Sequence, residues 1–468
     1  MASDAEGNEM RRRFSSISLL TAFVAALVLP GNRPGIGVVV VGVSLAAAIL
    51  VSERATTDLL VFGSAAVLLT AMTAVRAAEW VVALDLLAAA GLSVVAMTGL
   101  ERWADLARAP VSAMVALFRA PALVVRPLVP TARTGRRAIP VLRGAVVGLA
   151  LVVVFGVLFA SADAAFSRLA RRFLIPSFDA ELLPMQIVAF VATAVAAGTL
   201  AALRVPLELD IDPWGDARAP ARERRQGSRV EWVVALGLLD LLFAAFVAVQ
   251  LAFLFGGHDL VQRTVGLTYA EYARQGFFQL LVVGALVLAV VAGAVRWAAL
   301  HEPRDRVLLK AFLGALCLLT LVILASALRR MGLYEDAFGL TRARVLADAV
   351  AMWLGAVVVM VMAAGVRWRG RWLPRAVLAL SALAMLAFSL SNPDGRIAES
   401  NLSRWRGSGR LDRVYLRGLS ADATPVVVRE LGAGAEVLAG MRQDLGRRDP
   451  WPSWNLARER ARSALRTG

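Results

Sequence analysis

Lysine, cysteine and histidine are almost missing from this 468-residue sequence, which has one lysine (Lys310), one cysteine (Cys317) and two histidines (His258 and His301). A single cysteine excludes an intrachain disulfide and a thiolate metal site. Two histidines far apart in sequence leave no zinc or haem centre in view, so no cofactor is expected. Charge is scarce as well: 18% of residues are charged, whereas 59% are hydrophobic before glycine is counted and the mean hydropathy is +0.66. Soluble domains hold about 45–50% apolar residues with glycine included. The surplus excludes a soluble multidomain enzyme and requires lipid as a solvent.

With one lysine among 51 basic residues, the net charge of +16 is carried by arginine. Alongside abundant Ala, Val and Gly, that bias reads as a GC-rich bacterial coding sequence. The arginines sit between apolar runs, where charge sets membrane topology, so no nucleic-acid partner is expected.

Crossing a bilayer takes about 20 apolar residues in a helix. Eleven windows meet or approach that length: 17–30, 35–52, 58–75, 80–98, 143–160, 185–203, 230–255, 277–297, 308–328, 342–366 and 372–390. The first is the weakest, because it is short and Pro30-Gly31 ends it. Behind Arg11, Arg12 and Arg13 it resembles a signal peptide, yet no small-residue cleavage site follows, and it reads as an uncleaved first helix. Between 101 and 142, arginines and prolines break every run, which predicts an amphipathic segment on the membrane surface. The expected fold is all-α: a cytoplasmic N-terminal tail (1–16), a transmembrane helical domain (17–390) of about eleven helices (range 10–12), and a polar helical C-terminal tail (391–468).

Arginine is concentrated in alternate connections, namely the N-terminus, 52–57, 99–143, 204–229, 298–310 and 367–375. By the positive-inside rule these are cytoplasmic, which places the C-terminal tail outside. All four tyrosines, Tyr269, Tyr272, Tyr334 and Tyr415, fall in segments assigned to the outer side.

Carboxylates at membrane depth are the strongest functional candidates, because each costs roughly 2.5–3.5 kcal/mol to insert. Asp240 lies mid-window and shares its helix with Gln250, while Asp85 and Asp348 lie nearer the outer ends of theirs. Arg344, four residues before Asp348, is a possible in-helix partner. For Asp240 a proton or ion role competes with a hydrogen-bonded packing role. On the outer side, Asp163 follows a long apolar run, and Thr268 and Glu271 have capping-box spacing ahead of Arg274. Thr341 is placed to cap the window at 342–366, Ser391-Asn392-Pro393-Asp394 opens the tail, and Trp451-Pro452-Ser453-Trp454-Asn455-Leu456 leads into an arginine-rich helix. Ordinary turn and cap chemistry accounts for most of these segments.

Four segments, Asp163 after its helix, Gly266 to Phe278, Tyr334 to Trp353 and Asn392 to Ser420, occur in an order that resembles a bacterial multi-pass membrane family of unknown function. The resemblance covers roughly residues 140–460 and implies a membrane protein with a polar C-terminal extension and no catalytic assignment. The leading expectation is an outward-facing binding or assembly protein of the cell envelope, with the bilayer and an envelope protein or small molecule on the outer side as partners. A proton- or ion-coupled transporter using the intramembrane carboxylates is the alternative, and a membrane enzyme on a lipid-linked substrate comes third. No nucleophile with its base is evident, so the enzyme reading leans negative.

Overall fold

The computed structural model describes residues 2–52, 56–125, 182–203, 229–255, 277–298, 302–367, 370–409 and 411–467. Among these residues the chain is helical and forms no β-strand. The reason lies in the apolar runs: in lipid, a helix is the one open segment that satisfies all its backbone groups internally.

Numbered in chain order, the described helices of the apolar region are α1 (Ala2–Val28), α2 (Ile36–Ser52), α3 (Thr57–Val75), α4 (Glu79–Thr98), α5 (Trp103–Val125) and α6 (Leu182–Ala202), followed by α7 (Arg229–Phe255), α8 (Phe277–Trp297), α9 (Pro303–Phe338), α10 (Arg342–Arg367) and α11 (Leu373–Leu390). The tail adds α12 (Pro393–Ser408), α13 (Arg413–Arg417), α14 (Thr424–Leu431), α15 (Ala439–Leu445) and α16 (Leu456–Thr467).

Six described helices, α3, α4, α6, α9, α10 and α11, are long and apolar enough to cross a membrane. Shorter apolar stretches at Ser16–Val28, Ile36–Val51, Trp232–Ala248 and Leu280–Arg296 fall on four more of the expected windows. The window 143–160 lies outside the described residues. Helix α5 occupies part of the region expected to be amphipathic, packs along α6, and is not among the six.

The described chain divides into two compact units. The first holds α1–α6 together with the tail from Leu419 onward. Its α3–α4 hairpin shows how helix period makes the contact face. Leu59, Phe62, Ala66 and Leu69 of α3 are buried, as are Val81, Asp85, Ala89 and Leu92 of α4. These positions repeat every three or four residues, so they line one side of each helix. The opposite sides carry Leu60, Leu68 and Leu87, which are exposed and apolar as a lipid-facing surface must be.

The second unit holds α7–α13 and is built around α9. Leu309, Leu313, Leu316, Ile323, Ala327 and Met331 form a continuous buried stripe that packs against α7, α8 and α10. Helix α9 starts at a reciprocal capping box between Glu302 and Asp305, with Pro303 in its first turn. It ends at Gly339, whose φ of 81° lies in the left-handed region that a side chain would disfavour. At 36 residues α9 rises about 54 Å, well beyond the roughly 30 Å of a bilayer core.

Leu316, fully buried on α9, and Leu241, 67% exposed on α7, test this assignment of faces. Leu316→Ala removes packed volume and is expected to cost roughly 2–5 kcal/mol, whereas Leu241→Ala opens no cavity and stays within about 0.5 kcal/mol. Thermal inactivation of the purified protein in detergent, read as loss of monodisperse material, should separate the two variants.

Candidate functional site

A helix that leaves the membrane presents up to four amides or four carbonyls without intrahelical partners. In both units, side chains of the tail meet those groups at one end of the helices.

In the first unit the hairpin loop Arg76-Ala77-Ala78 contains no capping side chain, and Ala78, the N-cap of α4, makes no side-chain cap bond. The cap comes from Asp422 of the tail instead. Its Oδ2 accepts the amides of Ala77 at 2.7 Å and Ala78 at 2.9 Å, and its Oδ1 lies 3.3 Å from Arg76 Nη1. A carboxylate at a helix N-terminus also complements the helix dipole. Asn455, fully buried, donates from Nδ2 to the carbonyls of Thr73 at 2.9 Å and Arg76 at 2.8 Å, closing the exposed end of α3.

The loop before α2 is held from the same tail. The amide of Ile36 donates to the carbonyl of Trp454 at 3.0 Å, and that of Arg33 to Ser453 Oγ at 3.0 Å. Gly35 lets the two backbones approach: a Cβ there would lie 2.6 Å from the Ser453 carbonyl carbon and the Trp454 oxygen. Arg458, itself buried, donates to Pro34 O at 3.0 Å and to Asp449 at 2.8 Å. Asp449 also receives Arg462 at 2.8 Å. Burial raises the Asp449 carboxyl, but the hydrogen bonds from Arg462 and Arg458 outweigh it and hold the group below the ordinary carboxylate range. Beneath these polar contacts, Ala421, Leu445 and Ala461 pack together with Ala77.

In the second unit the corresponding seat is the turn between α9 and α10. Asn401 of α12 pairs twice with Leu340, accepting its amide at 2.8 Å and donating to its carbonyl at 3.0 Å. The amide of Arg342 donates to Tyr415 Oη at 2.8 Å, so the first turn of α10 is capped by a tail tyrosine while Thr341 only precedes it. The Arg342 guanidinium makes a two-point pair with Asp394 at 3.0 and 2.7 Å, the geometry that most strengthens an arginine–carboxylate contact. Asp394 is fully buried, in the first turn of α12, after Asn392 and Pro393. Asn392 adopts a φ of 53° and accepts the amide of Gly395 at 3.1 Å, a conformation asparagine tolerates better than most residues.

Around this seat lies a charged cluster. Asp348 of α10 sits against Glu335 of α9, with Arg344, Arg396 and Asp336 as neighbouring charges. Arg344 stacks over the Tyr334 ring at 4.2 Å and donates to the Gly339 carbonyl, so it does not take up the in-helix pairing with Asp348. Asp348 Oδ1 and Glu335 Oε1 are buried without a hydrogen-bond partner.

The structure disperses the remaining sequence candidates. Asp85 is fully buried in α4 of the first unit. Asp240 lies midway along α7, close to Cys317 of α9, with Oδ1 buried and unpartnered. Gln250 falls on the same helix, whereas Asp163, Glu271 and Arg274 lie outside the described residues. Among the named carboxylates, Asp348 lies at the tail seat, beside Arg396 of α12. Sequence reasoning named Asn455 within the Trp451–Leu456 segment but passed over Asp422, Arg458 and Arg342, although one signal was available: the α3–α4 loop has no Ser, Thr, Asp or Asn to cap α4.

Helices of membrane length whose ends are closed by a folded polar tail define an all-α polytopic membrane protein. Compared with known proteins, residues 63–430 match the family described as "Domain of unknown function (DUF4153)", and the chain belongs to that family. The match extends towards the N-terminus beyond the roughly 140–460 range of the sequence resemblance and takes in α4, the whole seat of the second unit and part of that of the first. No curated protein and no solved structure matches the chain.

Two consequences can be measured. A carboxylate held low by folding stabilises the folded state above its ordinary titration range, and that stability is lost as pH falls through the lowered value. Amide protection in 439–467, corrected for the slower intrinsic exchange in acid, is therefore expected to fall at acid pH in the wild-type chain, while Asp449→Asn is less protected already at neutral pH and depends less on acid. Gly35→Ala places a methyl against the backbone of Ser453 and Trp454, and limited proteolysis is expected to release the 419–467 segment several-fold faster, leaving α9–α12 intact.

Proposed function

We propose that this chain is a bacterial cell-envelope protein whose tail is a fixed docking face on the outer side of the cell membrane. The observation that supports it most is that the tail is folded onto helix ends through buried polar contacts, Asp422 and Asn455 in one unit and Asp394 and Asn401 in the other. A linker or solubilising extension has no need of such contacts, whereas a surface that must present a constant shape to a partner does. The arginine distribution supports an outward tail and a cytoplasmic N-terminus. The partners in this reading are the bilayer itself and an envelope protein or small molecule approaching from outside.

Asp240 favours a second reading. Its buried, unpartnered oxygen in the middle of an apolar helix is the arrangement expected of a proton- or cation-coupled transporter.

The two readings separate by experiment. In crosslinked native membranes, Asp422→Ala combined with Asn455→Ala should unseat the tail and lower recovery of a crosslinked envelope partner at least tenfold, while Asp240→Asn leaves recovery unchanged. Undiminished crosslinking by the tail variant would defeat the docking reading, and proton-driven uptake abolished by Asp240→Asn alone would establish the second. Single cysteines in a Cys317→Ala background, placed in the tail and labelled with an impermeant maleimide on intact cells, are expected to react from outside. Labelling only after permeabilisation would overturn the orientation.

A further inference from the structure

Tryptophans are left exposed at both ends of the first unit. Trp451 and Trp454 are 62% and 41% exposed, and Trp103 is 46% exposed. The first two flank Pro452 and Ser453 in a turn that packs on α2, where the Trp454 carbonyl holds the amide of the first α2 residue. Trp103 opens α5, just past Gly99, which caps the far end of α4. Between these ends runs α4, whose 20 residues rise about 30 Å, the thickness of the hydrocarbon core. Tryptophan exposed beyond the two ends of a helix of that length matches the two aromatic belts of a membrane protein, where the ring lies against acyl chains and the indole N–H meets headgroups. Charge completes the picture on the tail side. Arg447 and Arg448 are exposed and precede Trp451 by four and three residues, and Arg442 and Arg460 are exposed nearby in sequence. Guanidinium groups beside interfacial aromatics complement lipid phosphates, each contributing about 1 kcal/mol near an anionic surface.

We propose that Trp451 and Trp454, with Arg447 and Arg448, form a lipid-anchoring edge on the tail, inserted into the headgroup layer of the bilayer that the chain crosses and binding the phosphates of anionic lipids. The tail is thereby tied to the membrane at its rim as well as to the helix ends. The assignment depends neither on which side the tail faces nor on the docking role proposed above, since lipid phosphates are present in both leaflets.

The test uses the full chain in nanodiscs of phosphatidylcholine with and without phosphatidylglycerol. In the Cys317→Ala background, Trp451→Cys and Trp454→Cys are spin-labelled separately, with Ser463→Cys, an exposed position on α16, as the aqueous reference. Labels at 451 and 454 are expected to collide more with dissolved oxygen and several-fold less with a water-soluble nickel chelate than the label at 463. Accessibility to the chelate equal to that at 463 would overturn the assignment, as would protection from both reagents, which means a protein covering. Because labelling replaces the tryptophans, a second measurement leaves them in place. Arg447→Ala with Arg448→Ala is expected to halve or more the phosphatidylglycerol retained on purification from mixed-lipid membranes, and unchanged retention would refute the headgroup contact.

Discussion

The helix end is the constraint on which this molecule depends. Inside lipid a helix satisfies its own backbone, but at each exit it leaves amides or carbonyls that need partners. Short loops between apolar helices offer few side chains for the task, and the loop between α3 and α4 offers none at its N-cap. The tail supplies them from far away in sequence: a carboxylate for the loop amides that lead into α4, an amide side chain for the carbonyls at the end of α3, a tyrosine hydroxyl for α10. Once these contacts form, the tail is a folded part of each unit and its orientation follows from the helices beneath it.

This arrangement also sets the character of the polar contacts. Asp394 and Asp422 are buried, and each is satisfied by backbone amides or a guanidinium, so little of either charge is left without compensation. The contacts therefore specify geometry more than they add net stability, because removing one partner would strand a desolvated group in the other. Burying the same area with apolar side chains would hold the tail without fixing its register.

The apolar framework was legible in the sequence because its signal is local. A run such as 308–328 or 342–366 announces a helix by composition alone, and ten of the eleven windows fall on apolar helices that the structure describes. The tail was legible in part: the Asn392-Pro393-Asp394 motif marks a helix start, and Trp451 to Leu456 marks a second. What these residues touch was not legible. The α3–α4 loop partners of Asp422 lie more than 340 positions away, and no periodicity links them. The carboxylate reasoning was biased by depth, since it ranked residues by the cost of inserting them into lipid. It selected Asp240, Asp85 and Asp348, and it gave no weight to Asp422, whose cost is offset by the loop it binds.

The division of the tail carries a kinetic consequence. Residues up to Gly418 belong to one unit and those from Leu419 to the other, so the amino-terminal unit contains both early and late chain. Arg33 and Ser453 are 420 residues apart, and Arg76 and Asp422 are 346 apart. At a synthesis rate of about 5–20 residues per second, the loops before α2 and α4 wait roughly 20–80 seconds with bare amides before their partners leave the ribosome. During that interval the inserted helices are held by lipid and by each other alone. Completion of the first unit thus requires that translation has passed residue 455.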